Sequence, residues 1–263
     1  MTNQYAVLGS PISHSKSPII HNAAFAFGKI PATYQAIELA DDLAGFMQNL
    51  TPDFRGFSIT MPLKTQALDF AERADSLAIG TGSANTLVRT PTGWDAFNTD
   101  VFGMQQAVAG LKIKTVSVLG TGATARSAIV AMQELGKEVV IWGRTQSSLK
   151  QLCAEFEIDQ QPKLHKACEA DLVISTLPPR ALDEHLVELK SKPSGKLLDV
   201  AYDPWPSKAA ELWGEGQTIS GIEMLIWQAV GQQRLFAGND LDEPLPAEKE
   251  LVQHIRAALN MAK

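Results

Sequence analysis

Short apolar runs bounded by turn-forming residues alternate along this chain with stretches of helical periodicity. In the first third, Tyr5–Leu8, Thr33–Ile37 and Phe57–Thr60 read as strands. The intervening Pro18–Phe27, Asp41–Leu50 and Leu63–Phe70 read as helices, with Asp41 in the N-cap position of the second. A hairpin is predicted from Thr86–Val88 to Trp94–Ala96, turned by Pro91-Thr92-Gly93. A helix from Val101 to Ala109 follows Asp100, and Gly110-Leu111-Lys112-Ile113-Lys114 leads into a second series.

That series is cleaner. Val116-Ser117-Val118-Leu119 has the apolar density of a strand buried on both faces. A glycine-rich turn and a helix through Leu135 follow, stopped at Gly136. Then come Val139–Ile141, a helix from Ser147 to Phe156, and the strands Leu172–Ser175, Lys196–Asp199 and Thr218–Ser220, with a further helix from Gly221. This alternation predicts an α/β protein with a doubly wound parallel sheet in its second part. The final helix, Ala247–Met261, carries its charges on one face and is expected to pack back on the first domain.

Composition narrows the function classes. The chain has 263 residues, enough for two modest domains, and 20% are charged against 45% hydrophobic. A net charge of −6 provides no basic field to gather nucleic acid or an anionic membrane. No apolar run approaches the ~20 residues of a membrane span, and Met1-Thr2-Asn3-Gln4 lacks the features of a signal peptide. Cys153 and Cys168 form neither a metal-type cluster nor a disulfide framework, as expected of reduced thiols in a cytoplasmic protein.

Two features carry chemistry. The first is Gly120-Thr121-Gly122-Ala123-Thr124-Ala125, placed between a strand and a helix, which satisfies the dinucleotide fingerprint. Gly120 serves the tight turn, Gly122 the backbone approach to a pyrophosphate, and Ala125 the close packing of helix on strand. Amides at the helix start, from Ala123 onward, would hold the anion. The next strand ends in Trp142-Gly143-Arg144-Thr145, with no acid to accept from ribose hydroxyls. Arg144 there suits a 2′-phosphate and points to NADP, the plain alternative being a surface arginine.

The second feature is Lys64. A β-type stretch (Gly56 to Thr60) stops at Pro62, and a helix begins near Leu63, which places Lys64 in its first turn. The positive pole of the helix dipole is an unfavourable site for a cation that serves only solubility. A solvated surface lysine is the plain alternative. The polar company at Asn85-Thr86 and Asn98-Thr99-Asp100 favours proton exchange. Ser13-His14-Ser15-Lys16-Ser17-Pro18 adds hydroxyls before a helix, where capping is their ordinary role. Together these islands suit a polyhydroxylated ligand with a carboxylate.

At these residues the chain resembles the shikimate dehydrogenase family. The matching motifs are His14-Ser15-Lys16-Ser17-Pro18, Thr60-Met61-Pro62-Leu63-Lys64, Gly82-Ser83-Ala84-Asn85-Thr86 and Asn98-Thr99-Asp100. They continue with the glycine loop, Gly143-Arg144-Thr145, Asp199-Val200-Ala201-Tyr202-Asp203-Pro204, and Gly221-Ile222-Glu223-Met224-Leu225-Ile226-Trp227-Gln228. The resemblance implies reversible NADPH-dependent reduction of 3-dehydroshikimate to shikimate, on the chorismate route to aromatic amino acids. It implies a substrate domain of residues 1–101 and 229–263 and a Rossmann-like NADP domain of residues 102–228, with the C-terminal helices returning to the substrate domain.

Carried over by motif, Lys64 and Asp100 would be catalytic. Ser15 and Ser17 would bind the substrate carboxylate. Thr60, Asn85 and Gln228 would hold ring hydroxyls, and Tyr202 would also reach the substrate. Gly120, Gly122, Ala123, Arg144 and Thr145 would bind NADP, with Gly221 and Met224 near the nicotinamide.

Three departures stand out. Ser58 replaces the asparagine common in the family, Ala123-Thr124 replace Gly-Ala in the glycine loop, and Gly143 and Ser148 replace an asparagine and a basic residue flanking Arg144-Thr145. A quinate/shikimate dehydrogenase, a methylene-tetrahydrofolate dehydrogenase-like enzyme and a non-catalytic nucleotide-binding relative are the alternatives. Monomer and homodimer are both compatible with the sequence.

Overall fold

The apolar runs become two separate sheets. In the computed structural model, which describes residues 2–189 and 191–261, the chain forms two compact units, 1–102 with 226–263 and 103–225. Both divisions fall inside helices.

The first unit is built on β1 (Asn3–Gly9), β2 (Ala32–Glu38), β3 (Phe54–Ile59), β4 (Arg73–Ala74), β5 (Thr86–Arg89) and β6 (Trp94–Phe97). They form one six-stranded sheet in the order β2-β1-β3-β5-β6-β4. β1, β2 and β3 are parallel, and the expected hairpin supplies β5, antiparallel to β3, and β6, antiparallel to β5. Register sets Ser58 opposite Thr86 and Phe57 opposite Leu87. Because neighbours in a strand face opposite ways, Phe57 enters the apolar core while Ser58 turns to the other face. Phe57 stacks on Phe54 with centroids 5.2 Å apart and meets Trp94 at 5.4 Å.

The helices of this unit are α1 (Ser17–Phe27), α2 (Leu43–Gln48), α3 (Lys64–Phe70), α4 (Ser76–Thr81), the start of α5 (Thr99–Ala107), the later turns of α10 (Gly221–Phe236) and α11 (Glu248–Met261). α11 packs on α1, and Phe27 meets the His254 ring at 5.6 Å. Arg234 of α10 pairs with Glu248 of α11 at 2.6 Å and lies over the Phe102 ring.

Two of the boundaries that differ from the sequence expectation have a clear cause in side-chain hydrogen bonds. The cap of α2 is Asp42, whose carboxylate accepts the Gly45 amide at 3.0 Å, whereas Asp41 accepts from the Asp42 amide and from Gln66. α5 begins at Thr99 rather than Val101 because Asn98 Oδ1 takes the Asp100 amide and Asn85 Oδ1 takes the Thr99 amide.

The second unit holds β7 (Thr115–Leu119), β8 (Glu138–Trp142), β9 (Asp159–Gln160), β10 (Leu172–Ser175), β11 (Lys196–Asp199) and β12 (Thr218–Ser220). Every pairing is parallel, in the order β12-β11-β10-β7-β8-β9. Helices α6 (Ala123–Glu134), α7 (Gln146–Phe156), α8 (Leu164–Ala167) and α9 (Lys208–Trp213) make the crossovers, with a 3-10 turn at Asp183–Glu188. Strand order reverses between β7 and β10, the switch point at which such sheets bind ligands. Leu119, Trp142, Leu164, Val173, Leu197 and Trp213 share one core. The two cysteines are free, and burial pushes the Cys168 thiol up to about 12.

Phe57 is fully buried among aromatic and aliphatic neighbours. Phe57→Ala is expected to destabilise the first unit by about 3–5 kcal/mol, measured by urea unfolding. A loss below about 1 kcal/mol would show that the site collapses around the smaller side chain.

Candidate active site

The centre of the first unit's polar face is the Lys64–Asp100 pair. Lys64 is the first residue of α3 and Asp100 lies in the first turn of α5. Nζ donates to Asp100 Oδ2 at 2.5 Å, with the side chains only 14% and 7% exposed. A charge-assisted contact this short fixes both side chains. Lys64 is also anchored through its backbone, its carbonyl accepting the Ala84 amide at 2.9 Å next to Asn85.

Asn85 couples this pair to two further elements. Its Nδ2 donates to Asp100 Oδ1 at 2.8 Å, to Thr99 Oγ1 at 3.0 Å and to Gln228 Oε1 at 3.3 Å. Its Oδ1 accepts from the Thr86 hydroxyl and the Thr99 amide, each at 2.8 Å. Lys64, Asn85, Asp100 and Gln228 therefore meet in one hydrogen-bonded cluster, brought together from α3, the start of β5, α5 and α10.

Beneath the cluster lies a buried layer. Gln232, one turn beyond Gln228 on α10, joins Asn85 and Thr86 to Ser58, His21 and Tyr34. His21 stacks on Tyr34 with centroids 4.2 Å apart. Burial raises the Tyr34 phenol above the usual tyrosine range, with the Ser58 hydrogen bond opposing it in part. Ser58 is 5% exposed, and its hydroxyl is engaged with Tyr34 and Gln232.

The remaining first-unit candidates are not hydrogen-bonded to the cluster among the described residues. Ser15 and Ser17 adjoin at the start of α1, Ser15 Oγ accepting the Ser17 amide at 3.3 Å. The N-cap there is Lys16, and no side-chain cap bond forms, so neither serine serves as an N-cap. Thr60 follows the end of β3, four residues before Lys64. Its amide donates to Leu8 and its carbonyl accepts from Leu63.

In the second unit, the β7–α6 turn has the form its glycines imply. Gly120 has φ +119°, and a Cβ there would lie 2.4 Å from Thr176 Oγ1. Gly122 is the N-cap of α6 with no side-chain cap bond, and the space beside its Cα is open. The Ala123 and Thr124 amides at the uncapped helix start point the dipole's positive end outward. Arg126 is held by Glu155 and lies over Phe156. Arg144, by contrast, is exposed and makes no hydrogen bond or ion pair among the described residues. Thr145 is the N-cap of α7, again without a side-chain cap bond. An open glycine turn, uncapped amides and an exposed guanidinium after the next strand fit a dinucleotide bearing a 2′-phosphate.

Gly221 has a second, steric reason to be glycine: a Cβ would lie 2.1 Å from the Val200 carbonyl oxygen. Met224 is buried one turn later on α10. Tyr202 follows β11 on a loop tied back by Asp199, which accepts from Ser207 at 2.6 Å and from the Ala201 amide at 3.3 Å. Burial, then the charge of Asp203, raises the Tyr202 phenol above its usual range.

Gln232 and His21 belong to no motif that marks the site in the sequence. The spacing of Gln232 from Gln228 on one helix face was the available signal. His21 had none, since its partners come from distant parts of the chain.

A parallel sheet with a bare glycine turn at its switch point, and a lysine–carboxylate pair ringed by amides and hydroxyls in a separate unit, define a two-unit α/β oxidoreductase of the dinucleotide-binding class. Residues 7–87 match the model of the shikimate dehydrogenase substrate binding domain. The chain is also 33% identical over 256 residues to the shikimate dehydrogenase (NADP(+)) of Methanococcoides burtonii, covering 91% of this chain and 94% of that one. The chain belongs to the shikimate dehydrogenase family. Residues 115–201 match the model described as NADP oxidoreductase coenzyme F420-dependent. The solved Mycobacterium tuberculosis shikimate dehydrogenase superposes with a TM-score of 0.86 at 35% identity, covering 99% of this chain and 100% of that one. The Thermus thermophilus shikimate 5-dehydrogenase, solved in complex with NADP(H) and shikimate, gives 0.85 at 29% identity over 98% of this chain and 100% of that one.

His21 makes the first unit's stability depend on pH. Burial, opposed in part by the hydrogen bond with Gln232, pushes its pKa from 6.5 down to about 3. Between those values the unfolded chain binds the extra proton and the folded one does not, so stability falls as pH is lowered. The stability advantage of wild type over His21→Phe is expected to shrink by about 2–3 kcal/mol between about pH 7 and about pH 4.5, read by urea unfolding. A constant difference would mean that the fold accepts a charged His21.

Proposed function

We propose that the protein catalyses the reversible NADPH-dependent reduction of 3-dehydroshikimate to shikimate in aromatic amino acid biosynthesis, acting in the cytoplasm. The observation that carries this reading is the Lys64–Asp100 pair, held at 2.5 Å amid amides and hydroxyls suited to a polyhydroxylated ring. The first unit acts as the substrate domain and the second as the cofactor domain. No helix among the described residues is long and apolar enough to cross a membrane.

In reduction, a ring carbonyl becomes an alcohol, so the oxygen gains a proton as the carbon gains a hydride. NADPH, when bound, supplies the hydride. The Lys64 ammonium gives its proton to the ring oxygen and takes one back in the oxidative direction. Asp100 accepts from the neighbouring substrate hydroxyl and keeps Nζ in place. Thr60, Asn85 and Gln228 hold ring hydroxyls, the Ser15 and Ser17 hydroxyls donate to the carboxylate, and Tyr202 adds a phenol hydroxyl to the substrate. Gly120, Gly122 and Ala123 would hold the pyrophosphate, Arg144 and Thr145 the 2′-phosphate, and Gly221 and Met224 the nicotinamide end.

The direct test is the appearance of NADPH absorbance when shikimate and NADP are mixed with the protein at alkaline pH, with quinate and an unrelated polyol in parallel. No change with shikimate overturns the reading; a faster change with quinate reassigns the substrate. Lys64→Ala is expected to lower kcat by about 10²–10⁴ with little change in KM for shikimate. A large rise in KM at unchanged kcat would reduce Lys64 to a binding group.

Arg144→Ala is expected to raise KM for NADP and leave the weaker use of NAD unchanged. Equal turnover of both cofactors by wild type would remove the 2′-phosphate argument.

A further inference from the structure

Gln232 is fully buried and uses every hydrogen-bonding position of its amide. One side of that amide faces the backbone carbonyl of Asn85 at 3.1 Å. A carbonyl can only accept, so the atom facing it is the NH2 group, and its second proton goes to Thr86 Oγ1 at 3.0 Å. The other side is therefore the oxygen. It accepts from the Ser58 hydroxyl at 2.7 Å and from His21 Nε2 at 3.0 Å. Both donors are themselves fixed. Ser58 receives the Tyr34 hydroxyl proton at 2.5 Å, leaving its own proton for Gln232. His21 Nδ1 accepts from Gln233 Nε2 at 2.7 Å, which leaves the ring proton on Nε2.

This order is passed on to the catalytic cluster. Thr86 Oγ1 receives one proton from Gln232 and gives its own to Asn85 Oδ1 at 2.8 Å. With the Thr99 amide donating to the same oxygen, the Asn85 NH2 faces Asp100 Oδ1 at 2.8 Å. A flipped Asn85 would set its oxygen against the Asp100 carboxylate and break the cluster that steadies Lys64.

We infer that Gln232 is a positioning residue for the reaction proposed above, reinforcing through Thr86 the direction in which the Asn85 amide faces and so holding Asp100 and Lys64 in register. It touches neither member of the pair. Its effect on the pair runs through Asn85, and dependence on Asn85 is what separates it from a residue that merely supports the fold. The inference rests on the proposed reaction for its kinetic readout, and on the first unit alone for its structural one.

The kinetic experiment is a double-mutant cycle in the oxidation of shikimate with NADP. Gln232→Leu, close in volume and without hydrogen bonds, is expected to lower kcat about 10-fold while KM changes less than about 3-fold, as for the loss of one orienting buried hydrogen bond. In the Asn85→Ala background the same substitution is expected to change kcat less than about 2-fold. An unchanged kcat, an effect confined to KM, or an equal loss in both backgrounds overturns the inference.

Should Gln232→Leu not fold, Thr86→Val removes only the relaying hydroxyl. It is expected to give a similar loss of kcat, and wild-type kcat there also overturns the inference. A wild-type protein inactive on shikimate refutes the reaction, not the positioning. The positioning is then read from the Asn85 side-chain amide in a proton–nitrogen NMR spectrum. Its protection from solvent exchange is expected to fall in Gln232→Leu or Thr86→Val, and unaltered protection in the folded variant overturns it.

Discussion

The polar half of the first unit depends on one requirement: a carboxamide removed from water must find a partner for each of its atoms. Asn85 meets it by drawing acceptors to its nitrogen and donors to its oxygen, and those partners come from β5, α5 and α10. Three elements distant in sequence are thus fixed to one planar group. An unsatisfied buried amide costs about 1–3 kcal/mol, comparable to much of a domain's net stability, so the arrangement has little freedom to drift.

The same constraint explains why an ion pair can sit so deep. Two buried charges lose hydration that their mutual attraction alone does not always restore. Asp100 is supported on one oxygen by Lys64 and on the other by Asn85, and its backbone amide is bound by Asn98. The carboxylate is therefore solvated by the protein itself. A lysine placed against it keeps its geometry before any ligand arrives, the preorganisation on which the proposed proton exchange would draw.

Much of this architecture was legible in the chain. The second unit read well because parallel strands buried on both faces leave unbroken apolar runs; Leu172–Ser175, Lys196–Asp199 and Thr218–Ser220 appear with the bounds the pattern implies. Lys64, Asn85 and Asp100 were legible as short polar islands beside apolar segments. What sequence hid were contacts decided by tertiary structure. Asp41 and Asp42 are equivalent as letters, and only the left-handed backbone of Asp42 makes it the cap. The start of α5 depends on side chains of Asn85 and Asn98, the first of them from the bend that leads into β5. Gln232 sits among ordinary helix formers and gains meaning only from the groups that converge on it.

The first unit is discontinuous in the chain, and this has a consequence for how it comes into being on a ribosome. Residues 1–102 emerge first, yet the amide that completes their buried polar layer belongs to Gln232 and the helix that covers α1 is α11. Between them lies the whole of the second unit, whose parallel sheet is complete in itself. At translation speeds of about 5–20 residues per second, the early segment waits roughly 6–25 s for its closing pieces. The unit encoded in the middle can thus be the first to finish folding, while the segment made first keeps Asn85 and Asp100 hydrated until the last helices are released.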